Sequence, residues 1–94
     1  MNKAKIAGIG YSVPDRIVTN TELEKYMDTT DEWIQTRSGI KERRWVESGT
    51  GTSDLAIDAS KKAIQMADID PQSIDMVIVG SLTSDYFFPG VSAQ

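Results

Sequence analysis

Short apolar runs alternate with longer stretches of helical period along this chain. Lys3 to Tyr11 reads Lys-Ala-Lys-Ile-Ala-Gly-Ile-Gly-Tyr. Its interleaved small and apolar positions predict a first strand that lets neighbours come close. Val13-Pro14-Asp15 ends that strand, and Arg16 to Thr19 is expected to be extended. Thr19 or Asn20 then caps a short helix running to about Met27, with Glu22 or Glu24 placed to complete a capping box. A second helix starts in Thr29-Thr30-Asp31-Glu32, where Thr29 and Glu32 have capping-box spacing. Gly39 supplies its C-terminal stop. Ile40 to Val46 reads as extended.

Thr52 or Ser53 is expected to cap the strongest helix, which runs to about Ala67. Leu55, Ala56, Ala59, Ala63 and Ala67 recur near helical period, and their small size implies a close-packed face. Asp68 to Ser73 is a turn in which Asp70-Pro71 could cap a short helical segment. Met76-Val77-Ile78-Val79-Gly80 is a continuous apolar run, predicting a strand buried on both faces as in a parallel sheet. Strand, helices and strand together predict an α/β architecture. Two such strands cannot make a sheet covered on both faces, and Pro89 to Gln94 reads as a helix beginning. The chain is therefore expected to be part of a larger domain. Gly49-Thr50-Gly51-Thr52-Ser53 reads as a loop leading into a helix, and no repeat or low-complexity tract divides the sequence.

Composition narrows the chemistry. Ninety-four residues suffice for one small domain. With 39% hydrophobic and 26% charged residues, disorder, collagen and coiled coil are disfavoured. The longest apolar run falls far short of a membrane span, and the N-terminus has no signal-like hydrophobic region. No cysteine is present, which excludes disulfides and thiolate metal sites; no histidine is present, which removes the commonest general base, the nucleophilic triads and most zinc sites. Residues 1–47 carry eight basic and eight acidic side chains, whereas residues 48–94 carry Lys61 and Lys62 against six aspartates. An acidic chain is a poor general partner for nucleic acid. Arg37, Lys41, Arg43 and Arg44 form a local basic cluster, either a solvated face or a docking point for an anionic ligand or protein.

Gly8-Ile9-Gly10 is not a dinucleotide fingerprint: the third glycine would fall at Val13, and Pro14 follows where a helix should begin. Gly49-Thr50-Gly51-Thr52 lacks the lysine of a phosphate loop. Asp31 and Glu32 are adjacent and do not face one another on a helix. Asp28 and Glu32 read as charges complementing a helix start. No carboxylate cluster resembles a metal site. One constellation is more suggestive. Thr29, Trp33 and Arg37 are spaced i, i+4, i+8, which on a helix aligns them along one face. A flat indole, a planar cation and a small hydroxyl could hold a heteroaromatic ring with a nearby phosphate. The plainer alternative is a core tryptophan covered by an arginine.

The run Asp28-Thr29-Thr30-Asp31-Glu32-Trp33-Ile34-Gln35-Thr36-Arg37-Ser38-Gly39-Ile40-Lys41-Glu42-Arg43 resembles the "DTSDEWI–TR–GI–ER" signature of the β-ketoacyl-acyl carrier protein synthase III (3-oxoacyl-ACP synthase III) family. The flanks agree: Ile6 to Pro14 looks like that family's first strand and turn, and Val18 to Glu24 like the following helix start. Ala63-Ile64-Gln65-Met66-Ala67 followed by Ile69 looks like its "A–AGI" helix end, with Asp68 in place of the usual glycine. Met76 to Gly80 and Phe88-Pro89 also fit, so the resemblance covers essentially the whole chain.

The resemblance implies a thiolase-like α/β fold, αβαβα in layers, of which residues 1–94 would be the N-terminal segment ending before the catalytic cysteine. It implies a cytoplasmic homodimeric acyltransferase. Such an enzyme condenses acetyl-CoA or another short acyl-CoA with malonyl-acyl carrier protein, to start type II fatty-acid synthesis. The acyl-CoA is a substrate, so no separate cofactor or metal is expected, and neither membrane nor nucleic acid is an expected partner. The family's cysteine, histidine and asparagine would lie beyond Gln94, so this chain alone is expected to be inactive. The residues matching Trp33 and Arg37 contact the adenine and phosphate region of coenzyme A, with the one matching Thr29 beside them. Phe88 matches a phenylalanine that reaches across the dimer interface into the partner's acyl pocket, and Leu82 matches a pocket-lining position. The basic cluster could lie near a carrier-protein docking point. Two alternatives stay open. One is a related thiolase-fold enzyme of quinolone, polyketide-priming or 3-hydroxy-3-methylglutaryl-CoA synthase type. The other is a non-catalytic, self-associating segment.

Overall fold

Strand β1 (Arg16–Thr19) begins the regular structure and is followed directly by the short helix α1 (Asn20–Leu23). Helix α2 (Asp31–Ser38), strand β2 (Glu42–Trp45) and helix α3 (Thr52–Ala67) come next, and Pro71–Ser73 forms a single 3₁₀ turn. These come from a computed structural model that describes residues 2–83. The residues divide into two compact units, one of residues 13–48 and one of residues 2–12 with 49–83.

In the first unit β1 and β2 pair antiparallel, with Arg16 opposite Trp45, Ile17 opposite Arg44, Val18 opposite Arg43 and Thr19 opposite Glu42. Side chains alternate across such a ribbon. Val18 points inward and is fully buried, while Ile17 and Thr19 on the opposite face are exposed. Burying Val18 contributes about 1.5–3 kcal/mol. Leu23 of α1 is buried in the same unit. Thr19 is the N-cap of α1, its hydroxyl accepting from the Glu22 amide at 3.2 Å. The helix is shorter than its pattern suggests. It ends at Leu23, and a turn in which Tyr26 and Met27 amides donate to the Leu23 carbonyl replaces its last part. The Glu22 carboxylate accepts from Arg16 at 2.7 Å. Arg16 in turn lies over the Trp45 ring, 5.2 Å from its centroid, and Tyr26 tilts against the same ring.

In the second unit the small-residue face of α3 is a packing surface. A Cβ on Gly8 would stand 2.4 Å from the Ala63 carbonyl oxygen, and one on Gly10 would stand 2.4 Å from that of Ala59. Residues 8–10 thus lie directly on the helix backbone, which only glycine permits. The helix starts one residue earlier than expected. Gly51, not Thr52 or Ser53, is the N-cap, and the Asp54 carboxylate reaches back to accept from the Gly51 amide at 2.8 Å. The Thr52 hydroxyl is instead engaged with the Thr83 carbonyl. Asp70 caps the 3₁₀ turn, accepting from the Gln72 amide at 2.9 Å, with Pro71 in the first position.

The two expected apolar strands are not formed as strands. Among the described residues only β1 and β2 make a ladder. Residues 3–11 reach α3 through the Ile9 amide on Met66 Sδ and Lys62 on the Tyr11 carbonyl, but neither they nor 76–80 join a ladder among the described residues, and pairing is what defines a strand. The burial on both faces expected of residues 76–80 is not found among the described residues: Ile78 is 85% exposed.

Candidate functional site

Of the expected site residues, Trp33 and Arg37 are carried by α2. Thr30 caps this helix, its hydroxyl accepting from the Trp33 amide at 3.1 Å. Asp31 and Glu32 occupy the first turn and Arg37 the last, each complementing the helix dipole. Gly39 closes the helix in the left-handed region at φ 74°, where a side chain would be strained. The cap lies one residue beyond the expected Thr29, because the Thr29 amide is held by the Met27 carbonyl at 3.0 Å in the preceding turn. Thr29 therefore stands outside the helix, and the three-residue helical face is reduced to Trp33 and Arg37.

Those two residues meet. The Arg37 guanidinium lies over the indole of Trp33, 5.3 Å from the ring centroid. This is cation–π geometry, worth about 0.5–1 kcal/mol at an exposed site. Trp33 is 55% exposed, so it is not a core residue among those described. Trp33 also walls a pocket of about 400 Å³ with Met27, Asp28, Thr29 and Thr30. Thr29 thus returns to the side of Trp33 by the path of the loop. Its Oγ1 is buried with no hydrogen-bond partner, an arrangement that costs about 1–3 kcal/mol.

The basic cluster is divided by the fold. Arg43 turns inward and donates to the Val18 carbonyl at 3.2 Å and to Asn20 Oδ1 at 2.6 Å. Arg44 donates to the Pro14 carbonyl at 2.9 Å. Half of the cluster thus has a structural task. Leu82 is fully exposed, and Phe88 lies outside the described residues. Among the described residues no group of acidic side chains is arranged to hold a metal ion, and no helix is long and apolar enough to cross a membrane.

The pattern gives Asn20 no role beyond capping, yet it is the best-connected polar residue of this unit. It is only 1% exposed. Its Nδ2 donates to Asp31 Oδ1 and to the Ile40 carbonyl, both at 2.8 Å. Asp31 is further bound by Gln35 Nε2, at 2.8 Å to each carboxylate oxygen. The Gln35 hydrogen bond and then that of Asn20 lower the Asp31 pKa below its ordinary 3.8; burial opposes them, and the charge of Lys41 adds a lesser lowering. The Asn20 contacts had one visible signal, a polar residue set between the apolar Val18 and Leu23.

Comparison with known proteins finds close similarities. The chain is 47% identical over 93 residues to β-ketoacyl-[acyl-carrier-protein] synthase III of Coxiella burnetii, covering 98% of this chain and 29% of that protein. It is 51% identical over 87 residues to the synthase III 1 of Bacillus anthracis, covering 93% and 28%. The crystal structure of 3-oxoacyl-[acyl-carrier-protein] synthase III from Aquifex aeolicus superposes with a TM-score of 0.87 at 42% identity, over 95% of this chain and 29% of that one. The priming β-ketosynthase of the R1128 polyketide pathway matches with the same TM-score at 36% identity, over 95% and 27%. No family model matches the chain. The chain spans somewhat over a quarter of the length of the curated relatives it matches. Its fold class is thiolase-like α/β, as expected from the sequence. Over nearly its whole length the chain is similar, in sequence and in fold, to a segment of β-ketoacyl-[acyl-carrier-protein] synthase III proteins.

Proposed function

We propose that this segment supplies the coenzyme A head-group end of the acyl-CoA site in a decarboxylating ketoacyl synthase. That enzyme would condense acetyl-CoA or another short acyl-CoA with malonyl-acyl carrier protein. The observation that carries the reading is the Arg37 guanidinium over the half-exposed Trp33 ring at the wall of the pocket. The indole offers a face for adenine stacking, and the cation beside it can take a phosphate oxygen. Thr29 brings a hydroxyl without an internal partner to the same wall. Phe88 is assigned to the acyl pocket and the dimer interface on the family match alone. The nucleophile and the decarboxylation pair lie elsewhere, since residues 1–94 hold no cysteine and no histidine. We assign residues 1–94 to the N-terminal part of a cytoplasmic, homodimeric enzyme. A priming role in polyketide synthesis is the second reading, favoured by the likeness to the R1128 ketosynthase. The higher identity to the synthase III relatives favours the first.

Calorimetric titration with free coenzyme A tests this. Trp33→Ala is expected to weaken binding by about 1–3 kcal/mol, the scale of one stacked base. Equal affinity in the two proteins would overturn the assignment. Incubation of the 94-residue protein with acetyl-CoA and malonyl-acyl carrier protein is expected to release no coenzyme A, and release would refute the separate placement of the nucleophile.

A further inference from the structure

Helix α2 has an anchoring problem. It is eight residues long and none of them is buried. A helix of this length is not stable by itself, and this one has no buried apolar face to hold it. Its caps, Thr30 and Gly39, are its own neighbours in sequence and fix its ends locally, not its place on β1 and β2. Two side chains from outside reach it. Glu24 Oε1 accepts from the Asp31 amide at 2.9 Å, at the N-terminal end only. Asn20 reaches both ends, Asp31 in the first position and Ile40 just after the Gly39 cap.

Asn20 is itself fixed. Its backbone amide donates to the Lys41 carbonyl at 3.2 Å, continuing the β1–β2 ladder. Its Oδ1 accepts from Arg43 of β2 at 2.6 Å. Both Nδ2 hydrogens and the side-chain oxygen are therefore used, and the reverse amide orientation would set oxygen against two acceptors. We propose that Asn20 is the positioning residue of the site: it clamps both ends of α2 to the strand pair and so sets where Trp33 and Arg37 stand. The affinity consequence rests on the coenzyme A reading above, but the clamp does not.

The test compares Asn20→Ser with Val18→Ala, a buried change in the same unit that loses stability without touching α2. Amide hydrogen exchange and coenzyme A titration are read on both under conditions where each is folded. Asn20→Ser is expected to speed exchange at both ends of α2 relative to the rest of the unit, and to raise the coenzyme A dissociation constant about tenfold, the scale of losing hydrogen bonds to a charged group. Val18→Ala is expected to speed exchange evenly and leave the affinity unchanged. Should Asn20→Ser not fold, Asp31→Asn removes the charge from one arm. It is expected to loosen the first turn and to spare the last. Even exchange in the Asn20 variant, or Asp31→Asn loosening both ends alike, would overturn the clamp. Coenzyme A affinity lost in Trp33→Ala but retained in Asn20→Ser would overturn its positioning role. Selective exchange in Asn20→Ser together with no effect of Trp33→Ala would leave the clamp standing and refute the ligand reading instead.

Discussion

Arg37 stands one helical turn after Trp33, its guanidinium 5.3 Å from the centre of the indole ring. The stack spends little of the arginine's hydrogen-bonding capacity, because a cation over a ring keeps its N–H donors at the edge. The proposed division of labour is adenine for Trp33 and phosphate for Arg37. It predicts that Arg37→Gln weakens coenzyme A binding and also flattens its dependence on ionic strength, since a charge–charge contact is screened by salt and a stacking contact is not. Titrations at low and high salt read this. Parallel salt dependences in the two proteins would show that Arg37 touches no phosphate.

Asp31 ties the site helix to a pH. Its folded pKa lies below its ordinary 3.8 because Gln35 and Asn20 hydrogen-bond the ionised form and Lys41 attracts it. A lowered folded pKa means that the group contributes stability in full above the unfolded value, and loses it as pH falls through the folded one. Asp58 shifts in the same direction, through Ser12 first and Lys62 second. Asp31→Asn is therefore expected to lower the urea midpoint at neutral pH, with the difference from the parent shrinking on the acid side of 3.8. A difference that persists unchanged in acid would mean that the carboxylate charge is not what stabilises α2.

Most local starts and stops were legible in the sequence, because they depend on a few neighbouring atoms. Thr19, Gly39 and Asp70-Pro71 do what their residue types dictate, and the alanine face of α3 packs as its period implies. Errors of one residue arose where two candidates competed: Thr30 caps in place of Thr29, and Gly51 with Asp54 in place of Thr52 or Ser53. The Asn20 contacts show in the sequence only as a polar residue between Val18 and Leu23, since they join positions 11, 20 and 23 residues apart through side-chain geometry. The runs at 3–11 and 76–80 read as strands in the sequence but join no ladder among the described residues. Their apolar character encodes burial, and no described element supplies a partner edge. The Trp33–Arg37 pair was visible as spacing alone, while Thr29 reaches the same pocket by a loop that helical spacing does not describe.

The glycines against α3 carry a steric prediction. A Cβ on Gly8 would meet the Ala63 carbonyl oxygen at 2.4 Å and the Ala67 amide nitrogen at 2.8 Å, both backbone atoms of a helix that cannot yield locally. Gly8→Ala is expected to destabilise by about 1–3 kcal/mol, the usual range for overpacking. At Gly80 a Cβ would meet nothing within 4 Å, so Gly80→Ala is expected to leave the urea midpoint unchanged within error. Equal midpoints for the two variants would mean that the segment does not rest on α3.

Asp68 ends α3 at φ 54° and ψ 50°, and is the only non-glycine residue with positive φ among those described. Left-handed backbone costs an ordinary L-residue about 1–2 kcal/mol, with aspartate among the better tolerated and glycine free of the penalty. Asp68 is exposed, so replacing it disturbs no packed core. Its place coincides with the glycine of the "A–AGI" pattern that the sequence resembles, and the left-handed cap is the physical reason for a glycine there. Asp68→Gly is therefore expected to stabilise the protein by about 0.5–1 kcal/mol, the part of the penalty that aspartate does not escape. Asp68→Ala is expected to destabilise it, because alanine keeps the Cβ and loses the polar group that helps aspartate tolerate this conformation. Urea midpoints of the three proteins at neutral pH are thus predicted to rank glycine above aspartate above alanine. Alanine ranking level with glycine would show that α3 ends in a different backbone conformation in solution.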